Sequence, residues 1–267
     1  IAYTDNGTIK VFEHTSEVNL YNISVGSSVS GTTSRLNYDG SILGVSEQNQ
    51  TRLYEFVDIY WQEYPKMEPN KANEISGNLL SMNNAGTVVV VHDTPHVKTF
   101  AYNSSLTVWQ QQGGDISGVN AFISGEGNHL VVEYQNGVKV YAWNNAGAEW
   151  SASSQEVSGN HPTITVEGGT IGVVQGSGVY IYDISNAVFV QRGATNSGST
   201  VSLSDDGNRY ATIHNSKAYV CEWSSSEFQW NAIGVLGENQ AVSATLSKDG
   251  TTLSVGNQDQ TIELYKY

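Results

Sequence analysis

The chain has little of what cross-links, kinks or positively charges a domain. One cysteine, Cys221, stands in 267 residues, so no internal disulfide forms and no cysteine pair nucleates a zinc site. Four prolines leave turns to other residues. Twelve Lys and Arg face 26 Asp and Glu, for a formal charge of −14; a field of that sign repels phosphate backbones and anionic lipid, which argues against nucleic acid as a partner. The carboxylates are scattered rather than gathered in runs, which reads as solubility. No apolar run approaches the roughly 18 residues of a membrane-crossing helix, so no membrane insertion is expected. Ile1-Ala2-Tyr3 lacks the basic start and apolar core of a signal peptide.

What is abundant is turn and strand chemistry: 27 glycines, 15 tyrosines and 6 tryptophans, with no long helical pattern. In "VVEYQNGVKVYAWNNAGAEW", residues 131–150, Val138, Val140 and Ala142 alternate with Lys139, Tyr141 and Trp143, the two-residue period of a strand. Asn136-Gly137 supplies a tight turn, so Leu130–Glu133 is expected to fold back on Val138–Trp143.

The Tyr141-x-Trp143 pair recurs as Phe12-x-His14, Tyr54-x-Phe56, Phe100-x-Tyr102, Tyr182-x-Ile184, Cys221-x-Trp223 and Tyr265-x-Tyr267. Ahead of each pair lies an apolar strand and a polar turn. Further upstream, six copies carry a strand ending in a glycine turn, at Gly40, Gly86, Gly127, Gly169, Gly207 and Gly250. Downstream, six copies carry another strand, with Tyr21, Trp61, Trp109, Trp150, Phe189 and Trp230. Each unit is thus four strands, a to d. A lone sheet of that size leaves both faces wet, and four strands per roughly 40 to 45 residues is the spacing of a propeller blade. The expectation is an all-β, seven-bladed β-propeller with four-stranded antiparallel blades, a single domain over 1–267, with units near 1–30, 31–75, 76–115, 116–160, 161–197, 198–240 and 241–267. The aromatics are expected to fill the wide outer gaps between blades.

"VSLSDDGNRYATIHNSKAYVCEW" and "ATLSKDGTTLSVGNQDQTIELYKY" resemble WD40-like and FG-GAP-like propeller repeats. The resemblance implies architecture rather than activity: the Gly-His and Trp-Asp dipeptides of WD40 are missing, and so is the Asp-x-Asp-x-Asp-Gly calcium loop of the integrin type. The repeat opens in strand b at Ile1 and stops in strand c at Tyr267, so the first and last blades are expected to be incomplete. A longer polypeptide, a strand donated by a neighbouring copy, giving homotypic assembly, or a tolerated three-stranded blade would each account for that.

Catalytic chemistry is thinly signalled. His92-Asp93-Thr94-Pro95-His96 is the densest group of metal-ligand types, but three ligands within one turn read as a solvated turn, and neither metal nor cofactor is expected. The six histidines are spread through five units, and no Gly-x-Ser-x-Gly elbow marks a nucleophile. Asp39, Asp206 and Asp249 occupy equivalent Asp-Gly turns and are expected to accept backbone N–H bonds rather than to work as a catalytic pair. Cys221 reads as a small buried hydrophobe. The a strands "LNY", "SMN", "FIS", "ITV", "VSL" and "ATL" bring no titratable side chain. The expected function is therefore a non-enzymatic, extracellular or cell-surface binding or structural module for a protein or polysaccharide partner. Its contact ring is expected near the b-to-c turns at Asp5, Gln48, His92, Gln135, Gln175, His214 and Gln258. The alternative is a propeller hydrolase or lyase acting on glycans at the channel mouth. Sequons at Asn6, Asn22, Asn49 and Asn103, all in expected turns, are glycosylation candidates.

Overall fold

A computed structural model describes residues 2–5, 7–15, 20–24, 28–58, 60–64, 75–135, 137–185, 188–236, 240–259 and 261–267, with backbone alone for 3–5, 12–15 and 20–24. Every regular element among them is a β-strand. Strands β1 (Ala2–Asp5), β2 (Thr8–Thr15) and β3 (Leu20–Ser24) pair in that order, with β4 (Val29–Ser30) beside β2. Then follow β5 (Thr33–Leu36), β6 (Ile42–Glu47), β7 (Gln50–Val57) and β8 (Tyr60–Glu63), with β9 (Ile75–Ser76) beside β7. The third sheet is β10 (Asn78–Met82), β11 (Val88–Asp93), β12 (His96–Asn103) and β13 (Val108–Gln111), with β14 (Ile116–Ser117) beside β12. The fourth is β15 (Asn120–Ile123), β16 (His129–Tyr134), β17 (Gly137–Asn144) and β18 (Glu149–Ala152). The fifth is β19 (Asn160–Ile164), β20 (Thr170–Gln175), β21 (Gly178–Ser185) and β22 (Val188–Gln191), with β23 (Asn196–Ser197) beside β21. The sixth is β24 (Ser202–Leu203), β25 (Arg209–His214), β26 (Lys217–Ser224) and β27 (Gln229–Leu236), and the last is β28 (Ala241–Leu246), β29 (Thr252–Asn257) and β30 (Ile262–Lys266).

The architecture is a β-propeller, but the expected seven blades are corrected to six: β5–β8, β10–β13, β15–β18, β19–β22, β24–β27 and β28–β30. A blade opens on strand a, and the described residues hold six strands a (β5, β10, β15, β19, β24 and β28). The aromatic pair of strand c counts one more because β1–β3 repeat strands b, c and d alone among the described residues. Five blades are four-stranded, as expected, and β28–β30 has three strands.

The strands gather into two compact units, residues 1–123 with 145–149, and residues 124–144 with 150–267. In each, the core lies between the faces of successive sheets. Strands b are covered on both faces, and so read as near-continuous apolar runs such as Val88–Val91, all buried. In the first unit Ile42, Leu53, Ile75, Leu79, Met82, Val89 and Val91 form one buried cluster. In the second, Ala211, Ile213, Val220, Leu246, Leu253 and Val255 belong to another.

The six a-to-b turns share one hydrogen-bond scheme. The residue that opens the turn (Asn37, Asn83, Ser124, Thr165, Ser204 or Ser247) accepts the N–H of the glycine three residues on at 2.9 to 3.3 Å. Its side-chain oxygen accepts the N–H five residues on, at 2.8 to 3.1 Å. Each glycine has a left-handed φ, such as 67° at Gly207 and 70° at Gly250, a conformation that a Cβ disfavours. In the fifth sheet this residue is Gly168, not Gly169 as expected: counted from Thr165, Gly168 holds the third place and the positive φ. Crowding adds to the conformational demand, because a Cβ on Gly86 would meet Ile42 at 2.9 Å and one on Gly250 would meet Arg209 at 3.3 Å. The side chain that opens strand b thus seats on the turn glycine of the next sheet. His129 on Gly168 and Thr170 on Gly207 repeat the arrangement.

The aromatics of strands c and d meet across their own sheet rather than only filling gaps between blades. Phe56 lies opposite Trp61 and Trp223 opposite Trp230, with ring centroids 5.0 and 5.2 Å apart. Between blades, Tyr64 meets Tyr102 at 5.0 Å. A further recurrence is Val29-Ser30-Gly31, Ile75-Ser76-Gly77, Ile116-Ser117-Gly118, Val157-Ser158-Gly159 and Asn196-Ser197-Gly198. Its first residue pairs near the start of strand c, as Thr51↔Ile75, Val97↔Ile116 and Val138↔Val157 do. The outer edge of strand c is therefore covered twice, first by this segment and then by strand d.

Candidate functional site

In the second unit an open groove of about 610 Å³ is lined by Asp206, Asn208, Arg209, Glu222, Trp223, Ser225 and Asp249, within the size range of small-molecule sites. It lies where two a-to-b turns and the end of strand c of β24–β27 come together. Arg209 opens β25 directly opposite Glu222 on β26, and its Nε and Nη2 donate to Glu222 Oε1 at 2.8 and 2.6 Å. Nη1 donates to the Gly250 carbonyl at 3.0 Å, so one guanidinium closes an ion pair and joins two sheets. Asp206 Oδ1 accepts from the Asn208 N–H at 2.9 Å and the Ser204 hydroxyl at 2.6 Å. Asp249 Oδ1 accepts from the Thr251 N–H at 3.0 Å and the Ser247 hydroxyl at 2.6 Å. Burial pushes the Asp206 carboxyl up, but the Ser204 and Asn208 bonds outweigh it and hold it below the usual range. Ser247 and then Thr251 hold Asp249 low. Asp39 repeats the arrangement with Ser41. The Asp-Gly carboxylates are thus turn-forming acceptors, and the groove presents Asp206 and Asp249 as ionised, committed acids.

Trp223 forms an aromatic wall of the groove. The Arg192 guanidinium sits 5.7 Å from its ring centre, and also donates to Asp183 and to the Gly207 carbonyl, at 2.9 and 2.8 Å. Arg35 Nε likewise donates to the Leu80 carbonyl of the following sheet at 3.2 Å. Of four arginines, three tie a sheet to the backbone of the next. Arg35 and His161 also correct the expectation that strands a bring no titratable side chain: β5 and β19 start before the quoted triplets and include them.

The expected contact ring divides between strand ends and turns. Asp5, Gln175 and His214 end β1, β20 and β25, His92 lies within β11, and Gln48, Gln135 and Gln258 are in the turns themselves. Gln48 joins Ser30, Val45, Glu47, Gln50, Arg52 and Tyr54 around about 70 Å³, too small for a sugar ring. His214 meets the Tyr219 ring at 6.3 Å. Beside His92, Asp93 is taken by Lys98 Nζ at 2.7 Å and the Ser76 hydroxyl at 3.1 Å, and His96 Nδ1 stands 3.8 Å from Asp115 Oδ2. Cys221 is buried against Val179, Ile181, Leu203, Tyr210 and Trp230, and burial raises its thiol.

Of the sequons, Asn6 lies outside the described residues and Asn22 falls within β3 rather than in a turn. Asn49 is exposed in the β6–β7 turn, with φ 61°. Asn103 ends β12, where its Oδ1 accepts the Ser105 and Leu106 N–H groups at 3.1 and 3.2 Å. Arg209 and Glu222 carry no motif in the sequence, and Trp223 is marked there only by the recurring aromatic pair of strand c. Their signal was a rare arginine two residues after a turn glycine, with an acid placed to face it across the hairpin.

No protein-family model matches the chain, and no curated protein matches it significantly. Solved structures do. A functionally unknown protein from Desulfotomaculum acetoxidans is 14% identical at a TM-score of 0.70, over 97% of this chain and 89% of that one. The periplasmic gluconolactonase of Pseudomonas aeruginosa is 13% identical at 0.65, over 97% and 87%. A chain of the mitotic checkpoint complex is 14% identical at 0.65, over 100% and 83%. At such identities what is common is the fold, and the chain is a β-propeller similar in architecture to all three.

Proposed function

We propose that the chain is a non-enzymatic binding propeller of the WD40-like or FG-GAP-like kind, acting outside the cell on a polysaccharide or protein partner. The observation that carries this reading is the chemistry of the groove in the second unit. Asp206 and Asp249 are held ionised by turn hydrogen bonds, and its one guanidinium is committed to Glu222 and a backbone carbonyl. Groups so committed hold a fixed shape and accept hydrogen bonds from hydroxyl or amide donors, whereas a general acid needs a carboxyl raised toward neutrality. The Trp223 ring adds an apolar wall of the sort that sugar rings and peptide side chains pack on. The extracellular assignment rests on Asn49 and Asn103, the sequons at exposed or turn-forming positions.

A glycan array read for both retention and turnover tests the proposal, with the Trp223→Ala and Asn208→Ala variants alongside. Retention without turnover, lost at least about tenfold in Trp223→Ala, is the expected result. The second reading, hydrolysis, draws on the gluconolactonase that has the same fold; turnover of any bound sugar or lactone decides for it.

A further inference from the structure

We infer that the joint between the fourth and fifth sheets is an acid-sensitive latch, closed by a neutral His129 ring seated on Gly168 and loosened when that ring takes up a proton. The first observation is the seat. Gly168 is left-handed, with φ 79°, and a Cβ there would come within 2.5 Å of His129 Nδ1 and 2.6 Å of its Cβ. The half-buried ring thus lies directly on the glycine backbone. Of the four side chains seated in this way, Ile42, His129, Thr170 and Arg209, His129 alone changes its charge near neutral pH. The same joint is crossed by the Glu126 N–H, which donates to the Val166 carbonyl at 3.1 Å.

The second observation is how the fold treats a cation at equivalent places. Arg209 opens strand b opposite Glu222, which accepts from its guanidinium. Arg192 donates to the Gly207 carbonyl and is paired with Asp183 at 2.7 Å. His129 opens strand b opposite Ala142, whose methyl group balances no charge. Around the seat stand Glu126 in the ring's own turn, exposed Glu167 beside Gly168, and Asp183 on β21, which Thr170 and Arg192 already occupy. The third observation is the ring's hydrogen bond. Asn128 Nδ2 donates to Glu126 Oε2 at 2.9 Å, which turns Asn128 Oδ1 toward His129 Nδ1 at 2.8 Å. Nδ1 therefore carries the hydrogen of the neutral ring, and a second proton must go to Nε2. Burial weakens the hold of the ring on that proton, and the Glu126 charge offsets this only in part. A ring released from its seat returns to the ordinary value of 6.5, so the open joint binds the proton more tightly than the closed one. The latch is at full strength above pH 6.5 and weakens as pH falls through that value. It is separate from the groove, so either proposal can fail alone.

The test is amide hydrogen exchange of the whole protein at about pH 7.5 and about pH 5.5, corrected for intrinsic rates, with the His129 ring titrated by NMR. The Glu126 and Gly168 N–H groups, bonded to the Val166 and Thr165 carbonyls, are expected to lose protection at least about threefold at the lower pH. The Asp205 N–H, bonded to the Lys248 carbonyl two joints on, should keep its protection. The ring should titrate with a midpoint below 6.5. His129→Thr, which copies Thr170 of the next sheet, should remove the pH difference, and His129→Arg should loosen the joint at both pH values. A pH difference that survives in His129→Thr would overturn the inference, as would an equal loss of protection in every sheet. So would a midpoint at or above 6.5, a reading that needs no variant and stands even where a substitution unfolds the chain.

Discussion

Two neighbouring sheets of the second unit start alike and end differently. β24–β27 and β28–β30 share the same turn, with Ser204-Asp205-Asp206-Gly207 matched by Ser247-Lys248-Asp249-Gly250, and the Asp205 N–H donates to the Lys248 carbonyl at 2.6 Å. They diverge at the outer edge. β27 runs for eight residues along β26, reaching from Ser224↔Gln229 to Ala218↔Leu236, while among the described residues β30 pairs with β29 alone. The inner turn is thus specified locally, by one hydroxyl, one carboxylate and one glycine, whereas completing the outer edge takes a separate strand.

The largest contrast should come from the outer aromatics. Trp230 is buried, meets Tyr210 at 4.9 Å and donates its Nε1–H to the Arg192 carbonyl at 2.8 Å. Trp230→Ala should cost about 3 to 5 kcal/mol in urea unfolding and Tyr267→Ala under about 1 kcal/mol; equal costs would break the comparison. Next, Gly207→Ala and Gly250→Ala should each cost about 1 to 2 kcal/mol, since both residues are left-handed and crowded. A clear gap between them would show that the turns are not equivalent. Ser204→Ala and Ser247→Ala should each cost about 1 kcal/mol, because each orphans the N–H of Arg209 or Thr252.

The smallest effect is acid dependence. Asp206 and Asp249 are both held below their ordinary value of 3.8, so the unfolded chain binds more protons than the folded one as pH falls through that region. Their contribution is complete above pH 4 to 5 and is lost below it. Asp206→Asn and Asp249→Asn should each flatten the decline of the urea midpoint between pH 5 and pH 3, by similar amounts.

Much of the blade was legible because its signals are local. Alternation in Val138–Trp143 set β17, and turn chemistry at Asp39, Asp206 and Asp249 foretold carboxylates closing on backbone N–H groups. The blade count is less legible, because Phe12-x-His14 marks a strand c whether or not a strand a precedes it; the six glycine turns match the six blades. The Ser-Gly recurrence at Ser30, Ser76, Ser117, Ser158 and Ser197 is hard to read as structure, because two-residue strands have no period. The groove was hidden for another reason: Arg209, Glu222 and Asp249 are 13 to 40 residues apart in sequence and meet only through cross-strand pairing and the packing of successive sheets.

Seating the residue that opens strand b on the next turn's glycine gives each of the four joints so built a front and a back. Ile42 on Gly86 and Arg209 on Gly250 are plugs in sockets, so at these joints a sheet offers its neighbour a different surface from the one that it receives. Growth by duplication of a whole module then preserves each joint, while inserting a module in reverse order has no fitting partner, so the direction in which such an array can lengthen is written into a single side chain per repeat.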